Sequence, residues 1–429
     1  MLPIGEANQS AVPLLLSIAI ALCVGAVGAF FIIHTCIRKH SACDDVPSAT
    51  GSKFLIGHAL AYKKDPAAFL LRQSQLVGSI FRINLAGRRM IVLCGGSEDT
   101  EIGILKKAMN ASERILSSRD PVADIGFEYT LGKANVYDGT DFHKRLMKDY
   151  LNQGERTIPR LASALREAYD VEVANEKLGL DGMIIVKDFL GFVRRSTIRT
   201  VVGVFLGSAF LRPHKKKEDE GTFLAEFMIL QDEIEEATAA AAVLPRWLSL
   251  PLVLRPVERS RLKLQKSIAK RILDAWCAPI DEQGPWLVEF REKGMTVELA
   301  SEYIVGLLFA AHKNPAIGSA QAYLYLRLQG SEKEQAEVKS EANTFLESPT
   351  SETLEQRCQH IRRCCLETLR LTSHALGAIR TVREEVTLGE CPMAPSASRC
   401  GDKTRIVCTL YPGEVIAISH IVPSLSKSL

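Results

Sequence analysis

Two short stretches of this 429-residue chain carry side chains able to do chemistry together. The first is Glu367-Thr368-Leu369-Arg370. An acid and an arginine three residues apart lie on one helical face, within reach of each other. Apolar or thiol side chains at Ile361, Cys364, Cys365, Leu366 and Leu369 cover the other side of that helix, which predicts a largely buried helix. A buried pair is costly unless each partner has further bonds to make. An ordinary solvated pair is the plainer reading of the same spacing. The second stretch is His312-Lys313-Asn314, followed by Pro315. An imidazole titrates in the physiological range, and an amide both donates and accepts.

The elements that must position these groups can be read from periodicity. Met295 to Arg327 is too long for an average helix and apolar nearly all round its centre, so it should run through the core. Pro315 cannot donate to the Ala311 carbonyl and crowds that turn. Either the helix kinks there and offers spare hydrogen-bonding groups, or 312–315 is a loop between two helices with His312 and Lys313 exposed. Helices are expected near 97–108, 140–152, 157–175, 183–206, 221–241, 256–277, 295–328, 332–346 and 352–371. Asp65 and Pro66 open an earlier helix that Gly78 stops. Ile80–Leu85 and Met90–Cys94 flank Ala86-Gly87 as a hairpin. Strand-like runs return at 383–387, 405–410 and 414–419. The segments 214–221 and 389–403 read as solvated loops. The expected class is mainly α with minor β: a linker over 41–53 and one large domain over 54–429.

Hydrophobic residues make up 47% of the chain and charged residues 24%, so a large core is available. A net charge of +3 is too small to argue for nucleic acid. None of the eleven cysteines has zinc-finger spacing, and those in the folded part read as reduced, packed thiols. Residues 11–33 are apolar and uncharged, long enough to cross a bilayer. Arg38, Lys39 and His40 follow, so residues 1–40 read as a single-pass anchor with the rest of the chain in the cytosol. A cleaved signal peptide is disfavoured by the missing basic n-region.

Taken in order, these pieces resemble the cytochrome P-450 superfamily of heme-thiolate monooxygenases. They are an anchor, a Pro-linker, the DPAAFL helix, the IFRINLAGRRMIVL hairpin, a VYD segment, the long central helix, the ETLR helix and the PGEVIAIS strand. Within the superfamily they are most similar to the sterol 14-demethylase group. The resemblance runs from about Phe54 to Pro423. It implies a heme cofactor, an endoplasmic reticulum membrane setting, an NADPH-dependent reductase as partner, and a lipophilic small-molecule substrate, with a sterol as one class. It assigns Glu367 and Arg370 a structural role bracing the core near the heme. It gives Arg380, Tyr137 and Lys148 to the heme propionates, as charge-assisted bonds would suit; a surface position is the alternative for Lys148. Phe127, Phe223 and Phe227 become pocket or core aromatics.

Two departures from the family pattern stand out. The oxygen-activating helix normally reads Ala/Gly-Gly-x-Asp/Glu-Thr; here it reads Ala310-Ala311-His312-Lys313-Asn314. Asn314 could hold an oxygen or a water, and His312 could stand in for the missing acid as a proton carrier. The iron ligand is normally a cysteine in a Phe-x-x-Gly-x-Arg-x-Cys-x-Gly loop beyond the PGEVIAIS strand. No cysteine here sits in that pattern; Cys400 precedes the strand and lacks the flanking residues. The chain is therefore expected to be a fold truncated before the heme-cysteine loop, with no metal ligand of its own and the apolar face around Leu366 and Leu369 partly uncovered. The competing expectations are a monooxygenase, a non-catalytic truncated or splice form that binds lipid or heme weakly, and a cofactor-free helical scaffold.

Overall fold

The computed structural model describes residues 46–53, 56–94, 99–137, 142–178, 184–211, 219–244, 246–372, 377–392 and 405–419. The expected anchor lies outside the described residues, as do Cys400 and most of the 214–221 run. No helix among the described residues is long and apolar enough to cross a membrane. The chain divides into two compact units, Met1–Ser118 with Ala375–Leu429, and Arg119–His374.

The first unit is built on a five-stranded sheet. Its strands are β1 (Ile80–Leu85), β2 (Arg88–Leu93), β3 (Leu116–Ser117), β6 (Ile379–Val382) and β9 (Val415–Ile418), in the order β1-β2-β9-β6-β3. In the other unit, β4 (Lys177–Leu178) and β5 (Ile184–Ile185) form a small ribbon. The β1–β2 hairpin closes through Ala86 (φ 51°) and Gly87 (φ 92°). Two left-handed residues make a tight turn whose twist matches the strands, so the Ala-Gly signal was sound. β2 and β9 run parallel; the other pairings in the sheet are antiparallel. β7 (Val386–Pro392) and β8 (Arg405–Leu410) form a separate ribbon, bulged between Thr387 and Gly389. The expected loop at 389–403 therefore begins as strand.

Helix α1 (Ala59–Lys64) and helix α2 (Pro66–Val77) cover one face of the sheet, packing Phe69 and Leu70 against Phe81, Val92 and Ala417. Asp65 caps α2 by accepting from Ala68 N–H at 2.9 Å, and Gly78 ends it at φ 105°. Helix α3 (Asp99–Asn110) packs Ile104 and Leu105 with Leu93, Leu388 and Ile416.

The second unit is helical. Short helices α4 (Arg119–Asp124), α5 (Phe127–Thr130) and α6 (Lys133–Tyr137) lead into α7 (Phe142–Asn152), α8 (Gly154–Asn175), α9 (Phe189–Phe205) and α10 (Ser208–Leu211). Then come α11 (Asp219–Val243), α12 (Arg246–Ser249), α13 (Arg255–Trp276), α14 (Pro285–Glu292) and α15 (Val297–Gln329). Last are α16 (Glu332–Glu347), α17 (Ser351–Arg357) and α18 (Gln359–Thr372). The core gathers Phe205, Phe210, Phe223, Phe227, Trp286, Phe290 and Ile304. Phe223 and Phe227 are thus core residues, 1% exposed each; Phe127 is partly buried and packs edge-on to Phe309.

Gly207 carries one of the tight joints. Its φ is 92°, and a Cβ there would lie 2.3 Å from the Glu282 carbonyl oxygen. Next to it, Gly284 N–H donates to Leu206 O at 2.9 Å. Gly207→Ala should therefore destabilise by more than about 1 kcal/mol, seen as a lower urea midpoint with an unchanged slope.

Candidate functional site

Helix α15 runs unbroken through Pro315, and His312 is fully buried. The alternative of an exposed loop at 312–315 is excluded. Three helices of the same unit meet around His312: α9, α11 and α15. The ring Nδ1 lies 2.6 Å from Gln231 Oε1 and Nε2 lies 2.9 Å from the Arg194 carbonyl. Burial pulls the imidazole pKa down from 6.5 to about 4. A neutral ring has one N–H, so Nε2–H donates to Arg194 O, while the Gln231 side chain spans from Nδ1 to the Phe309 carbonyl, to which its Nε2 donates at 3.3 Å. With both nitrogens engaged and the charged form disfavoured, the ring is a structural joint in this arrangement.

Lys313 points to a second, ionic layer. Its ammonium contacts Asp232 Oδ1 at 2.9 Å and Glu235 Oε2 at 2.5 Å. Arg194 grips Asp232 from α9 through both guanidinium NH groups, at 2.9 and 3.2 Å. Burial pushes the Asp232 carboxyl up, but bonds and charge from Lys313 and Arg194 outweigh it and hold the pKa below the usual range. Burial likewise lowers Lys313, and its two acids more than restore it. Asn314, one residue on, is exposed and outside this network. A carboxyl whose folded pKa is depressed adds stability above its unfolded pKa and loses it as pH falls through the folded value. Asp232→Asn should therefore shrink the drop in melting temperature between pH 5 and pH 3. An identical drop in both proteins would show that the carboxylate does not stabilise the fold.

Neither Asp232, Glu235, Gln231 nor Arg194 was singled out from the sequence. The signal was present in part: Gln231-Asp232 and Glu235 share one face of a helix, but the facing cation is some eighty residues away.

Glu367 and Arg370 do meet. Arg370 Nε donates to Glu367 Oε2 at 2.8 Å, and a second nitrogen to Oε1 at 2.5 Å. The bond to Arg370 holds the Glu367 carboxyl below its ordinary range. The predicted burial is corrected, however. Glu367 is about half exposed, and Leu366 and Leu369 are each 57% exposed. The inward stripe of α18 is Ile361, Cys364, Thr368 and Leu371, at helical spacing; Leu366 and Leu369 fall on the opposite side.

The residues that the resemblance gave to a heme are placed as follows. Tyr137, 51% exposed, donates to Glu128 Oε2 at 2.8 Å; that bond, with burial, pushes its phenol pKa up. Glu128 also binds Arg246 at 2.6 Å. Lys148 is exposed on α7. Arg380 is half-buried on β6 in the first unit, where one NH donates to Ile379 O at 3.1 Å.

No protein-family model and no curated protein matches this sequence. A solved structure does. Retinoic acid-bound cyanobacterial CYP120A1 matches with a TM-score of 0.56 at 15% identity, over 88% of this chain and 78% of that one. The fold is that of a cytochrome P450.

A cytochrome P450 fold implies a heme, and the donors described here can be tested against one. Burial pushes the thiols of Cys94, Cys358, Cys364 and Cys365 up, away from thiolate. Among the described residues no three of His, Cys, Asp and Glu are grouped to hold a metal. Tyr137 already donates to a carboxylate, so a propionate there would meet Glu128 as well. Among the described residues, this donor set does not fit a heme-thiolate centre.

Proposed function

We propose that the chain carries the scaffold of a membrane-bound, heme-dependent monooxygenase, and that this 429-residue polypeptide is itself a non-catalytic form. The cytochrome P450 fold over 88% of the chain supports the scaffold reading. The reaction class is insertion of one oxygen of dioxygen into a lipophilic substrate, with electrons from an NADPH-dependent reductase. A sterol is the substrate class to which Tyr137 and Lys148 point by resemblance. The endoplasmic reticulum membrane is the proposed setting, through residues 11–33.

The donor set supports the second half of the proposal. No cysteine of the sequence lies in the iron-binding pattern, and the buried thiols are poor thiolates. Asp232 and Glu235 are committed to Lys313, so neither is free to replace the acid missing from the oxygen-activating motif. The test is a carbon monoxide difference spectrum of the purified chain after heme addition and reduction. The expected result is no thiolate band. A thiolate band of stoichiometric height would overturn the non-catalytic reading.

A further inference from the structure

The first turn of α18 is tied to α16 through an imidazole. His360 Nδ1 lies 2.8 Å from Glu341 Oε1, and Nε2 lies 3.1 Å from Glu337 Oε2. The two acids are four residues apart on α16, so they share one helical face. Glu341 is fixed in place, because it also accepts the backbone N–H of His360 at 3.0 Å and of Ile361 at 2.9 Å. Burial pushes the Glu341 carboxyl up, but those N–H groups and the ring outweigh it and hold the pKa below the usual range. Glu341 is therefore a carboxylate that only accepts. Glu337 is more exposed, 33% against 13%, and has a further partner in Lys333 Nζ at 3.9 Å.

These contacts set the charge of the ring. An ionised carboxylate has no proton to give, so each ring nitrogen must bring its own hydrogen. Imidazolium does so, and a neutral ring cannot. On losing a proton the ring keeps Nδ1–H, because Glu341 is locked by its two backbone bonds. The Nε2 lone pair then faces the Glu337 carboxylate, which can turn away to Lys333 and water. The other charged groups of the surrounding helices are few. On α16, Glu334 feels the charge of the ring but is committed to the Ser331 cap. On α17, Glu355 and Arg357 stand at the end of the helix, both exposed. On α15, Arg327 is the charged side chain beyond Lys313, and Gln335 holds it at 2.5 Å. On α18 itself, Arg362 and Arg363 are exposed.

A contact that only the charged ring can make is present in mild acid and is lost as pH rises through the ordinary histidine range. We propose that His360 is a proton-operated latch between α16 and α18. Protonated, it clamps α18 to both Glu337 and Glu341; deprotonated, it lets Glu337 go and leaves the α17–α18 junction on the Glu341 cap alone. The hinge is the break at Cys358, where α17 ends and α18 begins. The helix that loosens is the one carrying Glu367 and Arg370. The latch acts by local opening of a helix end, within the helical unit, and does not depend on heme or on the function proposed above.

The test is amide hydrogen exchange of the full chain at pH 6 and pH 8, corrected for the intrinsic pH dependence of exchange. In wild type the protection of 351–364 should fall by about fivefold between the two, as loss of one partly exposed ion pair would give. Helix α13, in the same unit, is the reference and should keep its protection. Glu337→Gln separates a latch from a merely structural contact. An amide accepts from the charged ring and donates to the neutral one, so this variant should hold its pH 6 protection at pH 8. Nitrogen-15 NMR of wild type needs no folded variant: at pH 8.5 the His360 ring should be the Nδ1–H tautomer. The proposal is overturned if wild-type protection of 351–364 is flat with pH, or falls only in step with α13. An equal fall in Glu337→Gln, or an Nε2–H tautomer at pH 8.5, also overturns it.

Discussion

Replacing His312 with leucine should cost about 2–3 kcal/mol of stability and flatten the protein's response to mild acid. The ring is fully buried between the Gln231 side chain and the Arg194 carbonyl. Leucine fills most of the space but leaves one end of the buried Gln231 amide unpaired, its other end still bonded to the Phe309 carbonyl, and that loss exceeds the mean value of one hydrogen bond. The pH effect has a definite sign. The folded imidazole titrates at about 4, well below its ordinary 6.5. Between those values the unfolded chain binds a proton that the folded chain refuses. Wild-type stability therefore falls as pH drops through that window, by roughly 2 kcal/mol between pH 7 and pH 5. Urea unfolding at pH 7, 6 and 5 measures both effects. His312→Gln should restore part of the stability and none of the pH slope. An equal slope in wild type and variant would show that the ring is charged in the fold, which would return it to the list of proton carriers.

Trp286→Ala should be more damaging still, at about 3–5 kcal/mol. Trp286 is fully buried and stacks on Phe205 with ring centroids 4.5 Å apart and planes 12° apart. Leu287 and Phe290, equally buried, fix the same turn of α14 against the core. Such a site cannot collapse around an alanine, so the cavity term adds to the lost transfer energy. The indole nitrogen has no hydrogen-bond partner among the described residues. Trp286→Phe therefore removes area without breaking a polar contact and should cost less than half as much. Chemical unfolding of both variants checks the ratio; a phenylalanine variant as unstable as the alanine one would mean that the nitrogen is bonded after all.

The long, strongly periodic helices could be read directly, because their inward faces repeat at 3.6 residues and their caps are local. Asp65 before Pro66 is a case where chemistry and outcome agree. Where the structure differs from the sequence pattern, a local signal competes with another. The expected helix 183–206 begins at Phe189, where Asp188 caps it by accepting from Gly191 N–H. Ile184 and Ile185 form a short strand instead; β-branched pairs suit that conformation better. The expected helix 352–371 breaks at Cys358 because Glu341, on α16, binds the N–H groups of His360 and Ile361. That cap comes from nineteen residues or more upstream, and no local pattern reveals it. The site was less legible than the fold for the same reason. The triplet at 312–314 was visible, but the groups that decide what His312 and Lys313 do lie on α9 and α11. Glu367 and Arg370 were correctly paired, yet their exposure depended on which arc of α18 faces inward.

The central sheet also dictates an order of assembly. Ile91, Val92 and Leu93 of β2 pair with Ile416, Ala417 and Ile418 of β9, more than three hundred residues later in the chain. At a translation rate of about 5–20 residues per second, β2 leaves the ribosome well before its partner is synthesised. All of Arg119–His374 is made in between. The helical unit can therefore begin to fold while the β1–β2 hairpin still presents an unsatisfied edge. An open apolar strand edge is a template for wrong pairing. Production of this chain should accordingly depend on chaperone supply and on slow synthesis during the interval before residue 418 emerges.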